Sequence, residues 1–423
     1  LAESTDIATI ILFATEASHR RDWTNVIQYL QKLPVDRAGK QLLFTDDRDG
    51  DRSLNLALEV LRWGDFRQKW DVAKLLPKFG GIAIEPSIKI LNDVDEDIES
   101  RWFAARILAE LNTVNCVLAL VELLKETTEE DLSSIAVQSL TNMGKTAIDA
   151  LNFLIDNESE SLRLSAANAL ASMRHPDTIV SLLQMAGDKN EKIRILAIEA
   201  LGSFRDPRIA PILIEALKDV NAAVRKEAAA ALGMRVELAT ELNSVDRLAP
   251  LLYDLNSGVC RQAALSLGRI GTKNASEALY KVFQAHLTPL ELKLDIVRSL
   301  AWNGTETALE YLQMSLQNAG VEVCREIVTV LGRDFAGVDA KGTLRDRLRE
   351  KACTVLLEFC AGRVLEAAMK QTIAMSLGQL GDRRAIEVLL KLAEDDDRSV
   401  CLHARSALER LRVTNHEGTK DTK

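Results

Sequence analysis

The sequence predicts an all-α chain, a right-handed α-solenoid of about ten to eleven helical-hairpin repeats, on three observations. First, one unit returns about every 31 residues, most clearly as ALGSFRDPRIAPILIEALKDVNAAVRKEAAAALG between Ala200 and Gly233. Segments reading apolar, basic, then A-x-x-A-L start at Gln68, Ser100, Leu132, Leu162, Ile193, Val224, Val259, Leu292, Val323, Met369 and Val400, at intervals of 32, 32, 30, 31, 31, 35, 33, 31, 46 and 31. Second, each unit holds two apolar runs at helical spacing, such as Ile209, Ile212, Leu213, Ala216 and Leu217, then Val224, Ala228, Ala231 and Leu232. A fixed period with two helical runs per unit is the mark of stacked helical hairpins. Third, the chain is 47% hydrophobic but only 4% aromatic, as expected of many thin layers packed with Ala, Leu, Ile and Val.

Taken in order, residues 1–67 read as an N-terminal helical cap. Helices are predicted at Ile7 to Ala17, Trp23 to Leu33 and Leu54 to Trp63, separated by the polar stretch Pro34 to Ser53. A solenoid needs such an atypical unit to cover its first open face. Residues 68–411 form the array. Within a unit, Asp206-Pro207 supplies a capping side chain and a proline suited to a helix start, and Asp219 with Asn221 breaks the chain again. The interval of 46 places about 15 extra residues near 334–360, with a loop at Asp334 to Thr343 before a helix at Leu344 to Cys360; an insertion in a repeat array is either a binding element or a tolerated loop. Residues 412–423 are polar and read as a disordered tail.

The unit resembles the short HEAT-like repeats typified by phycobilisome lyases, which share A-L-G-x-x-x-D-P-x-A followed by D-x-N-x-x-V-R-x-x-A, over roughly Gln68 to Leu411. The pair WDVAKLLPKFG (Trp70 to Gly80) and RWFAARILAEL (Arg101 to Leu111) resembles a cyanobacterial HEAT-repeat group associated with A-type iron-sulfur carriers. The first resemblance implies the fold; such repeats serve lyases, adaptors and assembly factors alike.

A net charge of −9 repels phosphate backbones and anionic membranes, so nucleic acid is not an expected partner. No run of 18 apolar residues exists, so no membrane insertion is expected. Gly144-Lys145-Thr146 ends like a phosphate-binding loop, but Ser139 stands where the first glycine belongs. Thr45 to Ser53 (TDDRDGDRS) lacks the Asp and Glu that a calcium loop needs at Thr45 and Leu56, and reads as a solvated acidic loop. The five histidines form no H-x-x-x-H pair, and His175 sits before Pro176 as a capping residue. No catalytic residue is assigned and no intrinsic cofactor is expected.

The second position of the aligned units reads Lys69, Arg101, Ser133, Arg163, Arg194, Arg225, Cys260, Lys293, Cys324, Lys370 and Cys401. A repeated position becomes a row along the stack. Two readings are open: a free basic stripe that binds a partner, or an Asp and Arg ladder between layers, since Asp188 and Asp219 stand six residues before Arg194 and Arg225. Where Cys260 and Cys401 replace the base, Asp254 and Asp395 remain six residues upstream, facing solvent or awaiting a partner's cation. Cysteine as a small buried hydrophobe explains the exchange most simply.

Cys260, Cys324 and Cys401 lie on the order of 20 Å apart by layer spacing, too far to pair or share a metal. Cys353 and Cys360 are seven residues apart on one helix, and no C-x-x-C exists, so an internal cluster or metal site is not expected. Six unpaired thiols suit a reducing cytoplasm. Trp70 and Trp102 share the third aligned position, and with Arg101 and Arg106 they form either a docking patch or a bulky plug.

The resulting expectation is a non-enzymatic adaptor holding a protein partner on its concave face through Trp70, Arg101, Trp102, Arg106, Arg163, Arg194, Arg225, Lys293 and Arg325. By resemblance, the partner is an A-type iron-sulfur carrier, with Cys324, Cys353 and Cys360 as a thiol site beside a cluster shared with it. The alternatives are a bilin lyase acting on a phycobiliprotein cysteine, and a cofactor-free assembly scaffold.

Overall fold

The computed structural model describes residues 6–44, 46–156, 159–333 and 342–417. Among them the chain forms 24 α-helices and five short 3-10 segments, with no strand beyond a single bridge between Val35 and Leu42. It divides into two compact units, residues 1–204 and 205–423, each a stack of helical hairpins. The chain is an α-solenoid. All eleven aligned starts fall in the second helix of a hairpin, from Phe66–Ala73 and Ile98–Leu111 in the first unit to Ala367–Leu380 and Arg398–Glu417 in the second.

The turn between the two helices of a hairpin is built by D-x-N. Asn221 caps the Ala222–Gly233 helix, its Oδ1 accepting from the amides of Ala223 and Val224, while Asp219 Oδ1 accepts from the Asn221 amide at 2.7 Å. Asp188 with Asn190, Asp254 with Asn256 and Asp395 with Asp397 repeat the arrangement. Each pair satisfies donors that the helix start leaves open. His175 acts likewise at its 3-10 turn, accepting from the Asp177 amide, and Gly144 with φ of +58° separates two helices as an ordinary turn.

Within each unit the second helices pack more tightly on one another than the first helices do. A seam of small residues allows this. Ser266 Oγ donates to Ala229 O at 2.8 Å, Ser376 Oγ to Val328 O at 2.9 Å, and Ser139 Oγ to Ala105 O at 3.3 Å, each reaching the backbone of the preceding second helix. Small residues also meet across this seam at the glycine position of the repeat, where Gly233 faces Ser266, Gly268 faces Ser299, Gly332 faces Ser376 and Gly378 faces Ala407; a Cβ on Gly332 would sit 2.5 Å from Ser376 Cα.

Four expectations change in detail. The acidic stretch after Thr45 is not a loop: Asp46 caps a helix that runs Asp47–Trp63, with Asp47 and Asp49 in its first turn. Carboxylates are favoured at that end of a helix, and Gly50 is buried beside Phe44. Thr45 itself lies outside the described residues. Asp206 does not start its helix, which begins at Ile209; instead its carboxylate holds the Arg208 amide and guanidinium in the preceding turn, at 2.9 and 2.8 Å. The extra residues near 334–360 are in part a long first helix, Gly342–Cys360, packed on Val321–Gly332 and Ala367–Leu380 like other hairpin partners. The loop expected at 334–343 lies outside the described residues up to 341. The final helix continues to Glu417, so residues 412–417 of the polar tail are helical, and 418–423 lie outside the described residues.

Candidate functional site

The row of basic residues on the second helices is a ladder wherever a carboxylate follows it. Arg225 on the Ala222–Gly233 helix reaches two ways. Its Nη1 donates back to the carbonyls of Asp219 and Val220 at 2.7 and 3.1 Å, tying down its own turn. Its Nε and Nη2 donate forward to Asp254 at 2.8 Å each, a bidentate pair with the next layer in which the Asp254 side chain is only 8% exposed. Arg163 meets Asp188 at 3.5 Å and Lys370 meets Asp395 at 2.5 Å in the same sense, while Lys69 pairs with Asp97 at 2.8 Å in the first unit. Arg194 donates to the carbonyls of Asp188 and Lys189 at 3.0 and 3.1 Å. Arg101 donates to Leu91 O at 2.9 Å and is half-buried.

Asp254 and Asp395 therefore do not await an outside cation; each is met by the base of the preceding repeat. The cysteines keep the backward half of the contact and drop the forward half. Cys260 Sγ donates to Asp254 O at 3.1 Å, Cys401 Sγ to Asp395 O at 2.8 Å and Cys324 Sγ to Ala319 O at 3.4 Å. Their positions follow the ladder's own logic. In the turn after Cys260 the aspartate column holds Leu287, and after Cys324 it holds Val364, so a guanidinium there would be desolvated without a carboxylate. The Arg225 pair holds the Asp254 carboxyl below the usual carboxylate range, and Lys370 does the same for Asp395. A depressed folded pKa adds stability above the unfolded value and loses it as pH falls. The ladder's contribution is accordingly expected to be intact at pH 5 and to be lost progressively as pH falls from about 4 through the depressed folded values, which pH-dependent urea unfolding will read.

Cys324, Cys353 and Cys360 do not form a reactive group. Cys324 and Cys353 are buried and Cys360 is half-buried. Burial raises the Cys324 thiol, pushes Cys353 up to about 12 with Asp382 adding to the effect, and pushes Cys360 up to about 11. Among the described residues, no three His, Cys, Asp or Glu side chains are grouped to hold a metal. A thiol whose folded pKa is raised contributes stability that is full below about pH 8.5 and lost as pH rises toward the folded value. Cys353 is therefore expected to resist an aromatic disulfide reagent at pH 7 until the chain is unfolded in guanidinium; stoichiometric labelling of the folded protein would contradict this placement.

The tryptophans lie together in the first unit. Trp70 and Trp102, both half-buried, flank the Arg106 guanidinium, which lies 4.3 Å from the Trp70 ring centroid and 5.9 Å from that of Trp102. The rings are fixed by Phe103, fully buried, which meets Trp102 edge-on at 5.1 Å and Trp70 at 6.2 Å. Phe66, 56% exposed, stacks on Trp70 and tilts against Phe103 at 5.5 Å, and Lys74 Nζ sits 5.5 Å from the Trp70 ring. Sequence reasoning found Trp70, Trp102 and Arg106. It missed Phe66, Phe103 and Lys74, although Phe66 and Lys74 stand four residues either side of Trp70. Arg325 is exposed on the Val321–Gly332 helix, and Lys293 lies in the second unit with its Nζ 5.8 Å from the Phe283 ring. The predicted partner-binding residues thus separate into row members held by their own stack (Arg163, Arg225 and, through carbonyls, Arg101 and Arg194), the Trp70, Arg106 and Trp102 clamp, and Lys293 and Arg325 on helices of the second unit.

Residues 149–233 and 210–286 match the family model for HEAT repeats, and residues 370–395 match that for the PBS lyase HEAT-like repeat. A comparison with curated proteins gives no match. Among solved structures, Kap121p is similar over 98% of this chain and 55% of its own length, at 15% identity and a TM-score of 0.52. The E. coli protein YibA aligns with 68% of this chain and 98% of its own, at 18% identity and a TM-score of 0.40. The complex of CpcE and CpcF of phycocyanin lyase from Nostoc aligns with 36% of this chain and 98% of that chain, at 20% identity and a TM-score of 0.32. The likeness to Kap121p shows the α-solenoid fold. Among the described residues, no helix is long and apolar enough to cross a membrane.

Proposed function

We propose that the chain is a protein-binding adaptor and that the Trp70, Arg106 and Trp102 clamp on its second helices is the anchor for the partner. One observation carries this reading: Arg106 forms no ion pair among the described residues, and its charge is held against two half-buried indole rings. Most row cations are consumed by their own stack, whereas this guanidinium keeps its donors for an incoming group. Tryptophan and arginine carry a large share of binding energy where they meet in a desolvated patch, and a ring-stacked guanidinium gives up little freedom on docking. Trp63, 72% exposed, and Phe66 add apolar surface in the same unit.

The partner is proposed to be an A-type iron-sulfur carrier, on the resemblance of Trp70 to Gly80 and Arg101 to Leu111 noted above. In that case the carrier supplies the cluster ligands, because protonated, buried thiols such as Cys353 make poor ones. The match of residues 370–395 to the PBS lyase HEAT-like repeat supports a second reading, a bilin lyase acting on a phycobiliprotein.

The test is anaerobic purification of the tagged chain with its partners from a cyanobacterial host, followed by visible spectroscopy and iron and sulfide assays. Broad absorption with stoichiometric iron favours the carrier, and a sharp red band without iron favours the lyase. Trp102→Ala and Arg106→Ala are each expected to weaken retention of the partner about tenfold while moving the melting curve little. Loss of the fold in Trp102→Ala, or unchanged retention in both variants, would remove the clamp from the interface.

A further inference from the structure

One rung of the ladder is missing its carboxylate, and a cavity opens there. Lys293 occupies the row position, yet the aspartate column of the following turn holds Asn318, and D-x-N is replaced by Asn318-Ala319-Gly320. Among the described residues Lys293 has neither contact that Arg225 makes: no turn carbonyl behind it and no carboxylate ahead. Its remaining neighbour is the Phe283 ring, 5.8 Å away. Cys260 and Cys324 show what this chain does where no carboxylate follows, since there the base itself is gone. Lys293 is the rung in the second unit where the cation stays and the carboxylate does not.

The cavity measures about 600 Å³, with Tyr280, Phe283, Lys293, Met314, Asn318 and Val321 on its wall. The aromatic side is rigid, because Tyr280 stacks on Tyr311 at 4.1 Å and on Phe283 at 6.2 Å. Met314 and Val321 are 53% and 51% exposed, so an adaptable apolar surface faces the cation. Glu322 also lines the cavity but lies beyond ion-pair distance of Lys293.

We propose that this cavity receives an acidic side chain, flanked by an apolar one, from a partner polypeptide. The ligand carboxylate takes the place that Asp188, Asp254 and Asp395 hold on other rungs, bound by Lys293 Nζ and the Asn318 amide. The neighbouring apolar side chain lies on Phe283 and Met314. Charge complementarity selects an acid, since a half-buried lysine on the cavity wall with no ion pair among the described residues gains most from one. The apolar wall beyond reach of the ammonium selects a residue in a chain over a free small acid. The proposal rests on the protein-binding reading only for the source of the carboxylate, and it concerns a different unit from the Trp102 clamp.

The test uses the full chain labelled with 13C at the methionine methyl groups, of which there are seven. The probe is the blocked peptide acetyl-Phe-Glu-Leu-amide, against the same peptide with Gln for Glu. The expected result is a saturable shift of the Met314 methyl signal, with the Glu peptide binding about tenfold more tightly than the Gln peptide. Lys293→Met should erase that preference. Asn318→Asp should restore the rung from within, raise the melting temperature, and weaken the Glu peptide about tenfold. Equal binding of the two peptides, no response at Met314, or retained preference in Lys293→Met would overturn the proposal. Butyrate binding as tightly as the peptide would overturn the assignment to a polypeptide. Because capture through Trp102 and Arg106 is measured separately, either reading can fail while the other stands.

Discussion

Replacing Arg225 with alanine is expected to destabilise the second unit by about 3 kcal/mol, read as a lower urea midpoint by circular dichroism. The substitution removes one side chain but breaks contacts in two layers. Asp254, 8% exposed at its side chain, loses its bidentate partner, and the carbonyls of Asp219 and Val220 lose their donor. A buried carboxylate without its cation carries its full desolvation penalty, which is why breaking such a pair costs far more than an exposed pair is worth. Arg225→Cys should recover part of the loss, because Cys260 and Cys401 show a thiol donating to the corresponding carbonyl, at 3.1 and 2.8 Å. A loss below about 0.5 kcal/mol in Arg225→Ala would be the behaviour of an exposed surface cation.

The second large effect is expected at Gly332. Gly332 closes the Val321–Gly332 helix with helical backbone rather than a left-handed one, so propensity alone predicts that Gly332→Ala stabilises, by less than the ~1 kcal/mol of a helix interior. Packing predicts the reverse sign. The new Cβ would stand 2.5 Å from Ser376 Cα, on the backbone of a neighbouring helix that cannot yield as a flexible side chain would. Overpacking of this kind costs about 1–3 kcal/mol and also strains the Ser376 hydroxyl bond to Val328 O. Gly332→Ala should therefore lower the urea midpoint, and Gly320→Ala, whose Cβ would meet nothing within 4 Å, should not. A stabilised Gly332→Ala would mean that the second helices stand farther apart than described.

Much of the architecture was legible because the repeat wrote it eleven times. The apolar, basic, A-x-x-A-L pattern located every second helix, and D-x-N located the turns. What stayed hidden depended on contacts between layers. The spacing of six between Asp219 and Arg225 suggested a ladder between layers but not which carboxylate meets which base: Arg225 holds the carbonyls of its own turn and pairs with Asp254, 29 residues on. Only the register of packed helices supplies that link. The start of the Asp47–Trp63 helix was hidden for another reason: its acidic first turn looks like a solvated loop until the helix dipole is considered. Gly268 was in plain view at the place where the clearest repeats read A-L-G, but a glycine inside a helix carries no meaning until the backbone of Ser299 is placed against it.

The site was legible in part. Trp70 and Trp102 drew notice as rare residues at one register, and Arg106 follows Trp102 by one helical turn; that the guanidinium lies over both rings depends on the packing of Phe66–Ala73 against Ile98–Leu111. The row of bases was visible as well, with its role left open between ladder and stripe. Asn318 in the aspartate column was readable from the alignment of repeats, but it gained significance only beside an unpaired Lys293 in an open cavity.

The most direct measurement is a double-mutant cycle of Arg225→Ala and Asp254→Ala by urea unfolding, at low salt and again in 1 M NaCl. The ladder predicts a coupling of about 2 kcal/mol that largely survives the salt, because a pair at 2.8 Å with side chains 16% and 8% exposed is poorly screened. A coupling near zero, or one that salt abolishes, would contradict it and return the basic row to the surface as a stripe free for a partner.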